Sequence, residues 1–231
     1  MSVLELKQVS SGYNRTIIIR DINISVEQGN IVCILGRNGV GKSTLLKTIM
    51  GVLPAKTGEI CFKGNSLTGL KPFQIARTGI AYAPQELPIF PNLTVFENLA
   101  IGFQAKNAME TAGQALEYFP QLKDRLKQQA GTLSGGETKM LIVCRAIMGK
   151  PELLLLDEVT EGLQPSVVNT INNTLYTINK EKGTTMVIVE QNLSFAKQIA
   201  QDYVIMNQGT IVESGTINDQ SLEIIESHLV L

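Results

Sequence analysis

One stretch restricts what this chain can fold into more than any other. A short, uniformly apolar run, Ile31 to Leu35, leads straight into Gly36-Arg37-Asn38-Gly39-Val40-Gly41-Lys42-Ser43, and Leu45, Leu46 and Ile49 follow at helical spacing. Such a run suits a strand covered on both faces, and the period after it is that of a helix. Strand, glycine loop and helix in this order fit the phosphate-loop pattern. The glycines let backbone N–H groups close around a phosphate, and the helix points its positive end there. Lys42 supplies a mobile positive charge, and Ser43 a hydroxyl ligand for Mg2+, a hard cation that takes oxygens from one or two side chains plus phosphate.

A nucleotide site needs a carboxylate on the metal side, and Leu153-Leu154-Leu155-Leu156-Asp157-Glu158 offers one where a buried strand ends. Asp157 is positioned to orient the metal shell, while Glu158 polarises an attacking water. Read blandly, the same pair is an acidic strand end before the next helix. Between loop and acids lies Leu133-Ser134-Gly135-Gly136-Glu137, in which Ser134 can cap a helix and two glycines bare backbone N–H groups to an anion.

The pattern around these motifs alternates β and α. Val3 to Val9 and Ile17 to Val26 form a small β layer across a turn at Gly12 and Asn14. Gly58 to Phe62 and Gly79 to Ala83 are further short strands; Thr94 to Ile101, Ala108 to Phe119 and Ser134 to Met148 have helical spacing, with Pro120 marking a break. A helix from about Ser166 to Glu181 ends near Gly183, Met186 to Val189 is a strand, and Tyr203 to Met206 pairs with Ile211 to Glu213 across Asn207, Gln208 and Gly209 before a last amphipathic helix. At 231 residues the expectation is one catalytic core with a smaller lobe inserted or appended.

Several function classes are disfavoured. Twenty Lys and Arg balance 21 Asp and Glu, so no overall field draws nucleic acid. Cys33, Cys61 and Cys144 are scattered among apolar neighbours and are expected to be small buried residues in a reducing setting. The single histidine, His228, lies near the C-terminus, which argues against His-based nucleophiles or metal sites in the core. No apolar run reaches the length of a membrane span, and the N-terminal segment lacks the features of an export signal. The chain is therefore expected to be soluble by itself.

Taken together, the phosphate loop, Gln85, the L-S-G-G-E segment and the L-L-L-L-D-E strand resemble, in order and spacing, the ATP-binding-cassette ATPases over nearly the whole chain. That resemblance implies an α/β fold: a P-loop NTPase (RecA-like) core at 1–85 and 150–231, carrying an antiparallel β subdomain, with an inserted α-helical subdomain at 86–149. It implies ATP and Mg2+ as cofactors. It also implies a head-to-tail dimer in which Gly36 to Thr44 of one subunit and Ser134, Gly135, Gly136 and Glu137 of another sandwich each ATP. Tyr13 looks like the aromatic that stacks on adenine; otherwise it is a surface turn tyrosine. Gln85 is similar to the glutamine that touches Mg2+ and the reacting water while linking core to helical lobe. The segment Glu86 to Glu97 would transmit motion to a membrane partner.

The chain departs from the family pattern at three places. Gln191 stands at the switch histidine, where it can donate a hydrogen bond to the γ-phosphate but carry no proton. Gln164 replaces a loop aspartate, and Val159 a proline. The V-E-Q-N ending, I-F-P-N-L-T-V-F-E-N-L and above all T-E-G-L-Q-P-S look like the ATPase subunits of bacterial urea importers, with branched-chain amino-acid importers as close relatives. The likeness implies membrane-spanning permease subunits, an external solute-binding protein and either a sister ATPase or a second copy, at the cytoplasmic face of the inner or plasma membrane. A soluble ATPase acting on nucleic acid or ribosomes, and a nucleotide-binding regulator without turnover, are the competing readings.

Overall fold

The computed structural model describes residues 2–85, 89–102 and 105–230. Two sheets divide the strands. β1 (Ser2–Ser11), β2 (Ile19–Glu27), β4 (Ala55–Phe62) and β5 (Asn65–Ser66) form an antiparallel sheet in the order β2-β1-β4-β5. The other sheet holds β3 (Ile31–Leu35), β6 (Ile80–Ala83), β7 (Leu153–Asp157), β8 (Thr185–Glu190), β9 (Asp202–Asn207) and β10 (Thr210–Thr216), ordered β10-β9-β3-β8-β7-β6. Every pairing in it is parallel except β9 with β10. The sequence-based expectation of an α/β fold with an added antiparallel layer is met.

The apolar runs are uniform because both faces of the parallel sheet are covered. Leu154, Leu156 and Ile188 pack with the helices of the 95–199 region, whereas Leu153, Leu155, Val187 and Val189 pack with Leu45, Leu46 and the antiparallel sheet. Strand alternation sends successive residues to opposite faces, so a strand sandwiched this way has no position for a polar residue until its end. Asp157 and Glu190, the last residues of β7 and β8, occupy such ends.

Helices α1 (Lys42–Ile49) and α2 (Pro72–Ala76) accompany the first half. The middle of the chain holds α3 (Val95–Ala100), α4 (Ala105–Leu116), α5 (Pro120–Lys123) and α6 (Gly135–Met148); α7 (Pro165–Lys182), α8 (Leu193–Ile199) and α9 (Asp219–Val230) follow. Pro120 begins a helical turn instead of only ending one, because at the first helical position its missing N–H costs nothing. Helices α2 and α8 escaped the sequence reading: the first is a single short turn, and the second starts at Asn192, whose side chain caps it by accepting from Phe195 N–H. Cys33 and Cys144 are buried as expected, but Cys61 is only half-buried; all three are free thiols. No helix among the described residues is long and apolar enough to cross a membrane.

Candidate nucleotide site

The parallel strands place their C-terminal ends side by side, where open α/β sheets hold ligands. The phosphate loop follows β3, the acids end β7, Gln191 follows β8, and Gln85 comes two residues after β6. In strand order β3 and β7 both neighbour β8. Residues far apart in the chain thereby meet at one edge.

The loop itself is shaped by close packing. Gly41, the residue before α1, has φ of 108°, and a Cβ there would lie 2.8 Å from the Ile19 side chain. At Gly36 a Cβ would meet the Met206 carbonyl at 2.5 Å. Only glycine fits either position without displacing its neighbours. Arg37, Asn38 and Gly39 are exposed, Val40 is half-buried, and Lys42 and Thr44 are buried. A hollow of about 370 Å³ is lined by Gly36, Arg37, Asn38, Gln191 and Leu229, so Gln191 and the phosphate loop border one space.

Glu158 is the hub. Its Oε1 accepts from Lys42 Nζ at 3.1 Å and Gln191 Nε2 at 3.3 Å, and its Oε2 from Gln85 Nε2 at 2.8 Å. Lys42 uses its other two protons on the Gly36 and Arg37 carbonyls, at 2.8 and 3.0 Å. Three residues expected at the reaction centre thus converge on the carboxylate of a fourth. Glu158 also has φ of 48°, an arrangement that costs a non-glycine residue about 1–3 kcal/mol and persists only when neighbours enforce it.

Asp157 sits one residue earlier and serves a different edge. Its Oδ1 accepts from Ser43 Oγ at 2.9 Å and its Oδ2 from the Tyr82 hydroxyl at 3.0 Å. Burial pushes its carboxyl above the ordinary value, with the bonds from Ser43 and Tyr82 pulling the other way. A buried carboxylate beside a serine hydroxyl is a hard oxygen pair that fits Mg2+. Among the described residues no group of three or more His, Cys, Asp or Glu could hold a metal. A cation at Ser43 and Asp157 would need further oxygens to complete its shell.

The remaining expected residues fall in three places. Tyr13 is 44% exposed at the tip before β2; its carbonyl accepts from Thr16 N–H, and Lys56 Nζ braces the turn through the Asn14 and Thr16 carbonyls. Ser134 caps α6, its Oγ accepting from Glu137 N–H while Glu137 Oε2 accepts from Ser134 N–H at 2.9 Å. Glu137 also pairs with Arg125 at 2.7 Å, so its carboxylate is engaged at the helix start. A Cβ on Gly135 would meet nothing within 4 Å, which leaves that backbone open to approach. Of the transmission segment, 86–88 lie outside the described residues; Phe90 is 53% exposed, and buried Asn98 ties the Phe90, Leu93 and Thr94 carbonyls together.

The sequence reading assigned no role to four side chains that complete the site. Tyr82 holds Asp157, Lys139 Nζ donates to the Glu158 carbonyl at 3.1 Å, Glu161 Oε2 accepts from Gln85 Nε2 at 2.6 Å, and buried Glu190 accepts from Thr160. Glu190 was readable in principle: like Asp157 it is an acid ending an apolar strand. Gln164 stands at the start of α7 without a side-chain cap, as expected of a side chain too long to fold back on the first turn.

Comparison with known proteins agrees with this geometry. The family model described as ABC transporter matches residues 19–161. The high-affinity branched-chain amino acid transport ATP-binding protein BraG of Pseudomonas aeruginosa is 41% identical over 93% of each chain. The probable branched-chain amino acid transport ATP-binding protein LivF of Archaeoglobus fulgidus is 34% identical over 94% of this chain and 93% of its own. Among solved structures, a nucleotide-free ATP-binding cassette from an ABC transporter superposes with a TM-score of 0.87 at 27% identity, covering 98% of this chain and 96% of its own. The ADP conformation of MJ1267, an ATP-binding cassette of an ABC transporter, gives 0.87 and 27% over 98% and 95%. The chain belongs to the ABC transporter ATP-binding family, and its enzymatic class is that of an ATPase coupled to transport.

Proposed function

We propose that this chain is the ATP-hydrolysing subunit of an importer for branched-chain amino acids, docked on permease subunits at the cytoplasmic face of the membrane. The observation that carries the hydrolytic part is the convergence of Lys42, Gln85 and Gln191 on Glu158. The names of the BraG and LivF relatives support the solute class.

In this reading ATP lies with its adenine on Tyr13 and its phosphates over Gly36 to Thr44, where loop N–H groups and Lys42 offset their charge. Ser43, Asp157 and Gln85 would hold Mg2+, which would supply further neutralisation of phosphate charge. Glu158 accepts the proton of the attacking water, and Gln191 donates a hydrogen bond to the γ-phosphate. Ser134, Gly135 and Gly136 of the opposing subunit, a second copy or a sister ATPase, close over the same phosphates. Opening after hydrolysis moves the helical segment against the permease, and an external solute-binding protein delivers the cargo.

Urea remains a second reading because of one feature, the Thr160-Glu161-Gly162-Leu163-Gln164-Pro165-Ser166 segment after the acids. Transport by the complete system in proteoliposomes decides between them. ATP-dependent uptake of labelled leucine and isoleucine, with urea excluded, is the expected result. Urea uptake without amino-acid uptake overturns the solute assignment and leaves the ATPase reading standing.

A further inference from the structure

Glu190 has no task in the reaction described above, yet it is 2% exposed and lies beside the hydrolytic centre. Its Oε1 accepts from Thr160 N–H at 3.1 Å and from the Thr160 hydroxyl at 2.8 Å. Among the described residues no cation pairs with it. A carboxylate kept in a buried place without a counter-ion must be held by its donors, and here both come from a single residue.

That residue is two positions beyond Glu158. Glu158 stands in the left-handed region, and the bonds that hold it there are local: its N–H donates to the Val189 carbonyl at 3.0 Å, and Lys139 Nζ reaches its own carbonyl. Next comes Val159, fully buried in the core on the helical side, and then Thr160 on Glu190. The turn is therefore fastened to β8 at two successive points, Val189 and Glu190, directly before Gln191. We propose that Glu190 is a positioning residue for ATP hydrolysis: by holding both donors of Thr160, it fixes the turn that aims Glu158 at the reacting water.

The inference rests on Glu158 being the base. Three variants of the full chain, assembled with its membrane subunits, test it beside Glu158→Gln. Glu190→Gln keeps an oxygen acceptor of the same shape, Glu190→Leu removes the acceptor, and Thr160→Val removes only the hydroxyl. Displacing a catalytic group lowers turnover more than binding, so Glu190→Leu should lose about tenfold or more in kcat with KM for ATP within about twofold of the parent. Thr160→Val, which keeps its backbone donor and tests the same contact if Glu190→Leu does not fold, should lose about threefold in kcat. Glu190→Gln should restore most of the rate. Parental kcat in both Glu190→Leu and Thr160→Val, or Glu190→Gln as slow as Glu190→Leu, overturns the assignment while leaving a slow Glu158→Gln to support the base. A parental rate for Glu158→Gln sinks the base and this inference together.

Discussion

Lys42 Nζ lies 3.1 Å from Glu158 Oε1, and the two side chains are only 3% and 5% exposed. The charge expected to receive phosphate and the carboxylate expected to activate water thus form one buried ion pair. In the proposed mechanism, a γ-phosphate that draws Lys42 to itself would weaken the hold on Glu158, so that binding of substrate and freeing of the base would be a single event.

Removing one member of this pair should be costly for folding. Lys42→Met leaves a buried carboxylate without its cation, and breaking such pairs costs about 3–5 kcal/mol. Adding Glu158→Gln to that variant removes the stranded charge and should recover part of the loss. Urea unfolding of the parent, both single variants and the double variant checks this. Strictly additive losses would show that the pair is not coupled.

Tyr82 should act through the metal side of the site. Tyr82→Phe keeps the ring but removes the hydroxyl that donates to Asp157 Oδ2. A hydrogen bond to a charged group contributes about 1.5–3 kcal/mol, so the Mg2+ concentration for half-maximal ATPase activity should rise at least about tenfold. Turnover at saturating Mg2+ should stay close to that of the parent. A magnesium titration at fixed ATP reads both numbers.

Glu190 predicts how stability changes with pH. Burial, reinforced by the nearby Glu158, pushes its carboxyl from an ordinary 4.5 to about 7, against the opposing pull of the Thr160 donors. The unfolded chain ionises this group near 4.5, whereas the folded chain holds the proton until about 7. Folding therefore takes up a proton between these values, and the stability linked to it is present below about 4.5 and lost as pH rises to about 7. The span corresponds to roughly 3 kcal/mol. Glu190→Gln should flatten that part of the stability profile, measured as unfolding midpoints from pH 4.5 to 8; an unchanged slope contradicts the assignment.

The parts of the site that could be read in advance are those written in contiguous residues. The phosphate loop needs glycines at fixed offsets because the chain must turn tightly there, as Gly36 and Gly41 show. The run Leu153 to Leu156 announces a doubly covered strand because no polar residue fits until Asp157. The contacts of Glu161 and Glu190 were opaque for the opposite reason, although Glu190 itself stands, like Asp157, as an acid at the end of an apolar strand. Their partners, Gln85 and Thr160, are brought to them by the strand order β3-β8-β7-β6, which no local period encodes. The S-G-G-E spacing that suggests anion binding is also that of a capping box, and the Glu137 carboxylate serves the cap.

The most direct test of the account measures ATP binding and phosphate release for Glu158→Gln in the assembled transporter. The amide keeps the shape of the side chain and one acceptor oxygen but cannot take the proton of water. The account predicts ATP affinity within about threefold of the parent and phosphate release lowered about a hundredfold or more. Release at the parental rate, with binding intact, would contradict it.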